Sequence, residues 1–449
     1  MFIINTRIFI IITLFFIYVS RSFADEKEIL TLSQAINLAL SKNPTILAAG
    51  HMVEAAKTKI LQARSGLLPK IDFYERYNRT TNPMTAVGNK LNQEVFSEKD
   101  YQIDVLNDPS PISNYNSQIV LTQPIFDRGK THLEIKKAKL KEKIVEEGME
   151  RIRQEVIFEV IKAYFKVVLA KEDLMLARMS EKMANAHVKL SDDLFQSGQV
   201  VKSDTLSARV RLNEVKEIVI QSKNALKIAK AALNNAIGVN QENIFEVSEN
   251  LEYKKKELDI NHLVNKAIKK RPDLLSMENE VKNAKENVKL VRTEYLPSVK
   301  VSAQYDLNDE NLWEDNGESW TVWGIFHFNL FNGLHTTSRI KEAKEKLKQL
   351  SYTKEALANK IELEVREAFY NLEEAEERIK VAKKALIYAK ESLRIVDDRY
   401  QVGLSTIVEV LDNEVAMTRA SRNLLRARYD CKIAASRLEL ACGTIYQLP

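Results

Sequence analysis

The sequence predicts a mixed α and β membrane protein built from an internally duplicated chain, with long helices carrying most of the mass and strands entering the membrane. Three observations lead there. Two stretches free of proline, between Pro124 and Pro272 and between Pro297 and Pro449, keep a helical spacing of apolar residues over lengths that no globular core helix needs. In each copy a segment then changes its apolar period from helical to two, the period of a strand. After the leader, no run is long and apolar enough for a membrane-spanning helix.

The 449 residues suffice for two or three ordinary domains or one large elongated body. Charged residues make up 29%, with only 12 Gly and 9 Pro, the composition of long helices. The net charge of +5 is spread among interspersed acids and bases. No basic block offers a footprint for nucleic acid, so no such partner is expected. Arg7, the apolar run Ile8 to Val19 and the small residues of Ser22-Phe23-Ala24 before Asp25 read as a cleaved secretory signal over residues 1–24. A membrane anchor is the alternative, but a dozen residues rising ~1.5 Å each fall short of ~30 Å of hydrocarbon. No Cys follows the cleavage site, so no lipidated N-terminus is expected. Cys431 and Cys442 fall on one helix ~16 Å apart, beyond the ~7 Å reach of a disulfide. They read as small packing residues.

The duplication has a measurable offset. Asn43-Pro44 matches Arg271-Pro272 and Leu68-Pro69 matches Leu296-Pro297, both 228 positions on; Ala39, Ala56 and Arg64 match Ala267, Ala284 and Arg292 at the same distance. Further along the distance becomes 205. Ile125-Phe126 matches Leu330-Phe331, Asp193, Phe195, Gln196 and Gly198 match Asp398, Tyr400, Gln401 and Gly403, and Gly238 matches Gly443. The 23-residue difference places one insertion in the first copy, between Phe73 and Tyr115. The expected division is therefore a first repeat over 25–240, a linker over 241–257 and a second repeat over 258–449.

Each copy opens with a short helix. Leu32, Ala35, Ile36, Ala39 and Leu40 share one face, and Asn43-Pro44 ends it because the residue before proline avoids the α region. A second helix runs to about Leu67, and its counterpart from Pro272 to about Tyr295. Strand hairpins follow at about 70–124 and 298–331. Val299, Val301, Ala303, Tyr305 and Leu307 alternate with Lys300, Ser302, Gln304 and Asp306; Trp320, Val322, Gly324, Phe326, Phe328 and Leu330 form one face of the partner. Ile71, Phe73 and Tyr77, then Tyr115, Ser117, Ile119 and Leu121, do the same in the first copy. The connections Thr80 to Ser113 and Asn308 to Ser319 read as long polar loops. Such strands suit a membrane barrel, with an ordinary antiparallel sheet as the alternative. Coiled-coil hairpins follow at about 128–236 and 334–442, with outgoing helices ~100 Å long. Their turns centre on Gly198 and Gly403, where glycine supplies the left-handed conformation that closes a helix. Ser203-Asp204 is expected to cap the first return helix and give it first-turn negative charge.

This order of elements, and above all Tyr400-Gln401-Val402-Gly403-Leu404-Ser405-Thr406-Ile407-Val408-Glu409-Val410-Leu411-Asp412, resembles the TolC family of outer-membrane export channels over essentially the whole mature chain. The family carries Asp where Glu409 stands and Arg where Ser405 stands. The resemblance implies a homotrimer whose chains give four strands each to one 12-stranded outer-membrane β-barrel, continued by a long periplasmic α-helical barrel. It implies the channel of a tripartite export or type I secretion machine, passing drugs, small molecules or secreted proteins from an inner-membrane pump of RND or ABC type and a periplasmic adaptor, and lying among outer-membrane lipid. Strand count supports association independently, since four strands cannot close a transmembrane barrel and open edges are not tolerated in lipid. A secreted periplasmic adaptor or structural coiled coil is the alternative; the duplication speaks against the first and the strand pairs against the second.

Enzyme signatures are missing. There is no phosphate-binding Gly loop, no Gly-x-Ser-x-Gly, no Cys-x-x-Cys and no His-Glu-x-x-His, and the six histidines lack metal-ligand spacing, so neither cofactor nor metal is expected. Glu409 and Asp412 lie three apart on one helix face. In a ring of chains they would stack two carboxylate rings that attract cations; the bland reading is a solvated first turn. The resemblance makes these residues the constriction of a periplasmic gate. It also implies that Tyr400 bonds an acid of the neighbouring hairpin, here Asp204 beside Ser203. It places adaptor docking at the tips, around Gly198, Gly403, Val402 and Leu404.

Overall fold

The computed structural model describes residues 28–243, 245–248, 250–253, 255, 257–314 and 317–447. The leader expected at 1–24 lies outside these described residues. In chain order the first half forms β1 (Glu28–Leu30), α1 (Leu32–Lys42), α2 (Pro44–Arg64), β2 (Lys70–Thr80), α3 (Pro83–Asn92), α4 (Ile103–Asn107), β3 (Ile112–Phe126), α5 (Lys130–Gln196) and α6 (Lys202–Ile237). The second forms β4 (Phe245–Val247), α7 (Ile260–Lys270), α8 (Pro272–Arg292), β5 (Ser298–Asp309), β6 (Gly317–His327), α9 (His335–Gln401) and α10 (Ile407–Ala441). Among the described residues no helix is long and apolar enough to cross a membrane. The fold is mixed and mostly helical, and it divides into two units.

The first unit comprises Met1–Gly50, Met149–Pro272 and Ala358–Pro449. Its core is built on α5, where Ile157, Val160, Ile161, Tyr164 and Val168 are buried with Ala35 and Ala39 of α1 and Leu233 and Ile237 of α6. β1 pairs in parallel with β4, and the buried Tyr164 hydroxyl donates to the Leu30 carbonyl at 2.8 Å. The segment 241–257, read from sequence as a linker, thus holds a short strand; three residues are too few for alternation to register.

In this unit the two repeat offsets meet at two matching joints, one in each copy. Asn43 ends α1 and donates from Nδ2 to the Ala236 carbonyl at 2.8 Å. Its counterpart Arg271 ends α7, is almost wholly buried, and reaches Glu364 and the carbonyl of Ala441, the counterpart of Ala236. Gly238 and Gly443 close the return helices beside these junctions with φ of +85° and +69°. A Cβ on Gly238 would lie 2.7 Å from the Asn43 Cα; one on Gly443 would lie 3.1 Å from the Lys270 carbonyl oxygen.

The second unit comprises His51–Gly148 and Asp273–Leu357. Its antiparallel sheet has the order β2-β3-β5-β6, with Phe73, Ile119, Tyr305 and Trp320 in one row across it. The register slips between Pro124 and Phe126, where proline offers no N–H to the ladder. β6 stops at His327, opposite Ser298, the first residue after Pro297; Phe328 and Leu330, read from sequence as strand, have no partner and lie beyond it. Thr80 to Ser113 is likewise no plain loop, since it contains α3 and α4. Beneath the sheet residues, α8 is tied to the start of α5 by Asn283 Nδ2 donating to the Lys137 carbonyl at 2.9 Å and to α9 by Lys354–Glu278 at 2.9 Å.

The two faces of the sheet are inverted relative to a soluble protein. The apolar face is bare: Ile71 is 68% exposed, Trp320 74% and Phe326 68%. The polar face of the central strands is covered, with Asn114, Gln118, Asp306 and Asn308 all buried. There the amides of Asn116, Gln118 and Gln304 donate to the Asp306 carboxylate at 3.1, 2.8 and 2.7 Å, and Asn114 donates to Asn308 at 3.0 Å. A polar face that bonds itself and an apolar face left largely exposed suit a bilayer on one side and water on the other.

Candidate functional site at the hairpin tips

The hairpin tips lie in the first unit and close alike. Gly198 and Gly403 adopt φ of +75° and +76°. The amides of Gln199 and Leu404 return to the carbonyls of Leu194 and Arg399 at 2.9 and 2.8 Å, the six-to-one bond of a Schellman closure. No atom lies within 4 Å of a Cβ built at either glycine, so conformation and not space requires glycine here. Val402 and Leu404 stand exposed on the second tip and Val201 on the first.

Return helix α10 is capped by Thr406, whose hydroxyl accepts from the Glu409 amide at 3.3 Å. Return helix α6 differs from expectation: its cap position is Val201, without a side-chain bond, and Ser203 sits inside the first turn. Asp204 does place negative charge in that turn. Ser405, just before the Thr406 cap, donates to a Glu409 carboxylate oxygen. Glu409 and Asp412 are both exposed on α10.

Between the hairpins, Tyr400, Ile407 and Val410 are buried with Leu190 and Leu194 of α5 and Leu393 and Val396 of α9 packed against them. Tyr400 lies within this cluster, yet its hydroxyl is buried with no hydrogen-bond partner. Burial pushes its pKa up, and the negative charge of Asp204 adds to the rise. The structure thus brings Tyr400 within electrostatic reach of Asp204 but forms no hydrogen bond between them.

Sequence reasoning missed a charged layer one step further from the tips. His187 of α5 presents Nδ1 to Asp397 of α9 at 3.9 Å and Nε2 to Glu414 of α10 at 4.0 Å. Arg211 of α6 faces Glu414 at 4.0 Å from the other side and pairs with Glu214 at 3.2 Å. Four helices therefore contribute: α5, α9 and α10 give one titratable group each and α6 gives two. Glu414 is fully buried and neither carboxylate oxygen is hydrogen-bonded; burial raises its pKa against the opposing effect of Arg211. Burial also lowers the pKa of His187, with Asp397 opposing. The available signal was phase: Ile407, Val410 and Glu414 follow i, i+3, i+7, which puts a glutamate where the helix buries its apolar stripe. Among the described residues no group of three His, Cys, Asp or Glu could hold a metal.

A model of a protein family described as "Outer membrane efflux protein" matches residues 35–239 and 263–444. Outer membrane protein TolC of Vibrio cholerae is 23% identical over 427 residues, covering 92% of this chain and 91% of the relative. The alkaline protease secretion protein AprF of Pseudomonas aeruginosa is 21% identical over 422 residues, covering 93% and 85%. In structure, the CmeC outer membrane channel of Campylobacter jejuni superposes with a TM-score of 0.76 at 19% identity, covering 92% of this chain and 86% of that one. The open state of the MtrE outer membrane channel of Neisseria gonorrhoeae gives 0.75 at 18%, covering 92% and 89%.

Proposed function

Because the chain belongs to the outer membrane efflux protein family, we propose that it is the passive outer-membrane conduit of a tripartite export machine, closed at rest by the tips of its own coiled-coil hairpins. The observation that carries this reading is the inverted sheet, whose bare apolar face asks for lipid and whose covered polar face asks for an aqueous interior. Four strands close nothing alone, and the likeness to the family makes the assembly one of three chains that supply twelve. Residues 1–24 are the secretory leader that delivers the chain, and 25–240 and 258–449 are its two repeats. The chain is no enzyme; energy comes from an inner-membrane pump of RND or ABC type through a periplasmic adaptor. Val402 and Leu404, exposed beside Gly403, together with the Gly198 turn, give the adaptor an apolar grip.

Glu409 and Asp412, exposed on one face of α10, form two carboxylate rings at the mouth of the assembled channel. Crowded carboxylates repel one another and multivalent cations relieve that repulsion, so such cations block while monovalent cations pass more readily than anions. Single-channel recording in a planar bilayer tests this with Glu409→Gln and Asp412→Asn combined. The double variant loses cation selectivity and block by trivalent cations. Wild-type selectivity and block in the double variant would reduce the two acids to first-turn charges and move the constriction elsewhere.

A further inference from the structure

The first copy carries its insertion between β2 and β3, and that insertion is a small folded body. Asn82 caps α3 through a bond from the Thr85 amide at 3.1 Å. Lys90 pairs with Asp100 at 2.6 Å, and Asp100 also accepts from the amide and hydroxyl of Ser97, both at 2.9 Å. Phe96 and Tyr101 meet edge to face with ring centroids 5.2 Å apart. Ala86, Asn89 and Gln93 are buried.

This body sits on the polar face of the sheet. Asn89 Nδ2 donates to Asn78 Oδ1 at 2.8 Å; Gln93 Nε2 donates to the Ser113 carbonyl and to Asn114 Oδ1, both at 2.7 Å. Asn78 shares its side of β2 with Asp72 and Arg76, and Asn114 its side of β3 with Asn116 and Gln118, so both tethers lie on the polar side. At the far edge Gly317 of β6 faces the same way as Ser319 and Thr321, and a Cβ there would lie 1.8 Å from the Asn92 carbonyl oxygen. The insertion therefore reaches from β2 across to β6, and only glycine lets it close down on the last strand. Glu94, just past α3, holds a left-handed φ of +59° that favours glycine, a strain that persists where surrounding contacts fix the chain.

We propose that residues 81–111 are an outer lid, seated across the polar interior at the loop end of the strands and setting the largest molecule that passes the outer mouth. This rests on the channel reading, in which the polar face lines the lumen. Three chains bring three lids to one mouth. Asn89, Gln93 and Gly317 are the residues that hold each in place.

The test reads access from outside in intact cells. Thr321→Cys puts a thiol on the polar face of β6, four residues along from Gly317 and exposed in the single chain. The native Cys431 and Cys442 are buried and give the unlabelled background. Labelling is timed with a small membrane-impermeant maleimide and with one carrying a long polyethylene glycol. It is timed in the otherwise wild-type chain, in Asn89→Ala with Gln93→Ala, and in a chain whose residues 81–111 are replaced by a short Asn-Gly turn. The small reagent labels all three alike. The large reagent labels both lid variants at least about tenfold faster than the intact lid, the effect of losing the three hydrogen bonds of Asn89 and Gln93. Should the lidless chain fail to insert, the tether variant decides. Equal rates with the large reagent would overturn the lid and leave the channel reading standing. No labelling by even the small reagent in any chain would overturn the channel reading and the lid with it.

Discussion

Gly238→Ala probes the first of the two joints where the repeat offsets meet, and the same substitution at Gly443, at the second, is its internal control. At Gly238 the added methyl would sit 2.7 Å from the Asn43 Cα, 2.8 Å from the Pro44 Cδ and 3.0 Å from the Lys42 carbonyl oxygen. Two of these atoms are backbone and the third is a ring carbon, so none can swing aside. Overpacking of this kind costs about 1–3 kcal/mol, and a left-handed alanine adds about 1 kcal/mol. At Gly443 the nearest atoms are the Lys270 carbonyl oxygen at 3.1 Å and the Arg271 Cα at 3.2 Å, which need give only slightly, so the conformational part dominates. The expected losses are about 2–4 kcal/mol at the first joint and about 1–2 at the second. Amide hydrogen exchange reads them separately. The Asn43 amide, bonded to the Ala39 carbonyl, should exchange about 30- to 1000-fold faster in Gly238→Ala. The Arg271 amide, bonded to Ala267, should gain only about 5- to 30-fold in Gly443→Ala. Equal acceleration at both joints, or a larger one at the second, would refute the reasoning from close approach.

Glu414→Gln should tighten the packing between the hairpins at neutral pH by about 1–2 kcal/mol, because it removes a buried charge whose oxygens accept no hydrogen bond and whose burial outweighs the attraction of Arg211. Its raised folded pKa means the native group loses stability as pH rises above the ordinary carboxylate range, so the advantage of Gln should vanish below about pH 4; an advantage independent of pH would contradict this. His187 has the opposite sign. With its pKa lowered by burial, it favours the packed state above its ordinary value and loses that as pH falls, so His187→Gln should flatten acid loosening below about pH 6 in hydrogen exchange of α5. Tyr400→Phe should leave the cluster intact or stabilise it by about 1 kcal/mol, since the hydroxyl is buried without a partner; marked loosening would show that the assembled channel supplies one. Gly403→Val should penalise the left-handed turn by about 1 kcal/mol or more and disrupt export while barrel insertion survives; unchanged export with a distorted turn would move docking off this tip.

The long helices were legible because helical period and missing proline agree over many turns; α5 and α9 run 67 residues each. The strand faces were legible because alternation has a period that a single register preserves, as in the row Phe73, Ile119, Tyr305 and Trp320. What escaped depends on partners distant in sequence. β1 and β4 are three residues each and exist through one another. Phe328 and Leu330 keep the alternation after the partner strand has ended. The seating of α3 on Asn78, Asn114 and Gly317 leaves no periodic trace, though the insertion itself was visible as a change of repeat offset. At the tips, glycine announced the turns, whereas the layer of His187, Arg211, Asp397 and Glu414 needed the neighbouring helices to give its charges meaning.

We propose that the inverted four-strand sheet becomes a closed wall only by association. Native mass spectrometry of the detergent-extracted protein tests it most directly, since it counts chains without assuming their arrangement. A complex of three chains should be released from the micelle, with no folded single chain in equilibrium with it. A stable monomer that stays soluble without detergent, its Trp320 and Phe326 facing water, would contradict it.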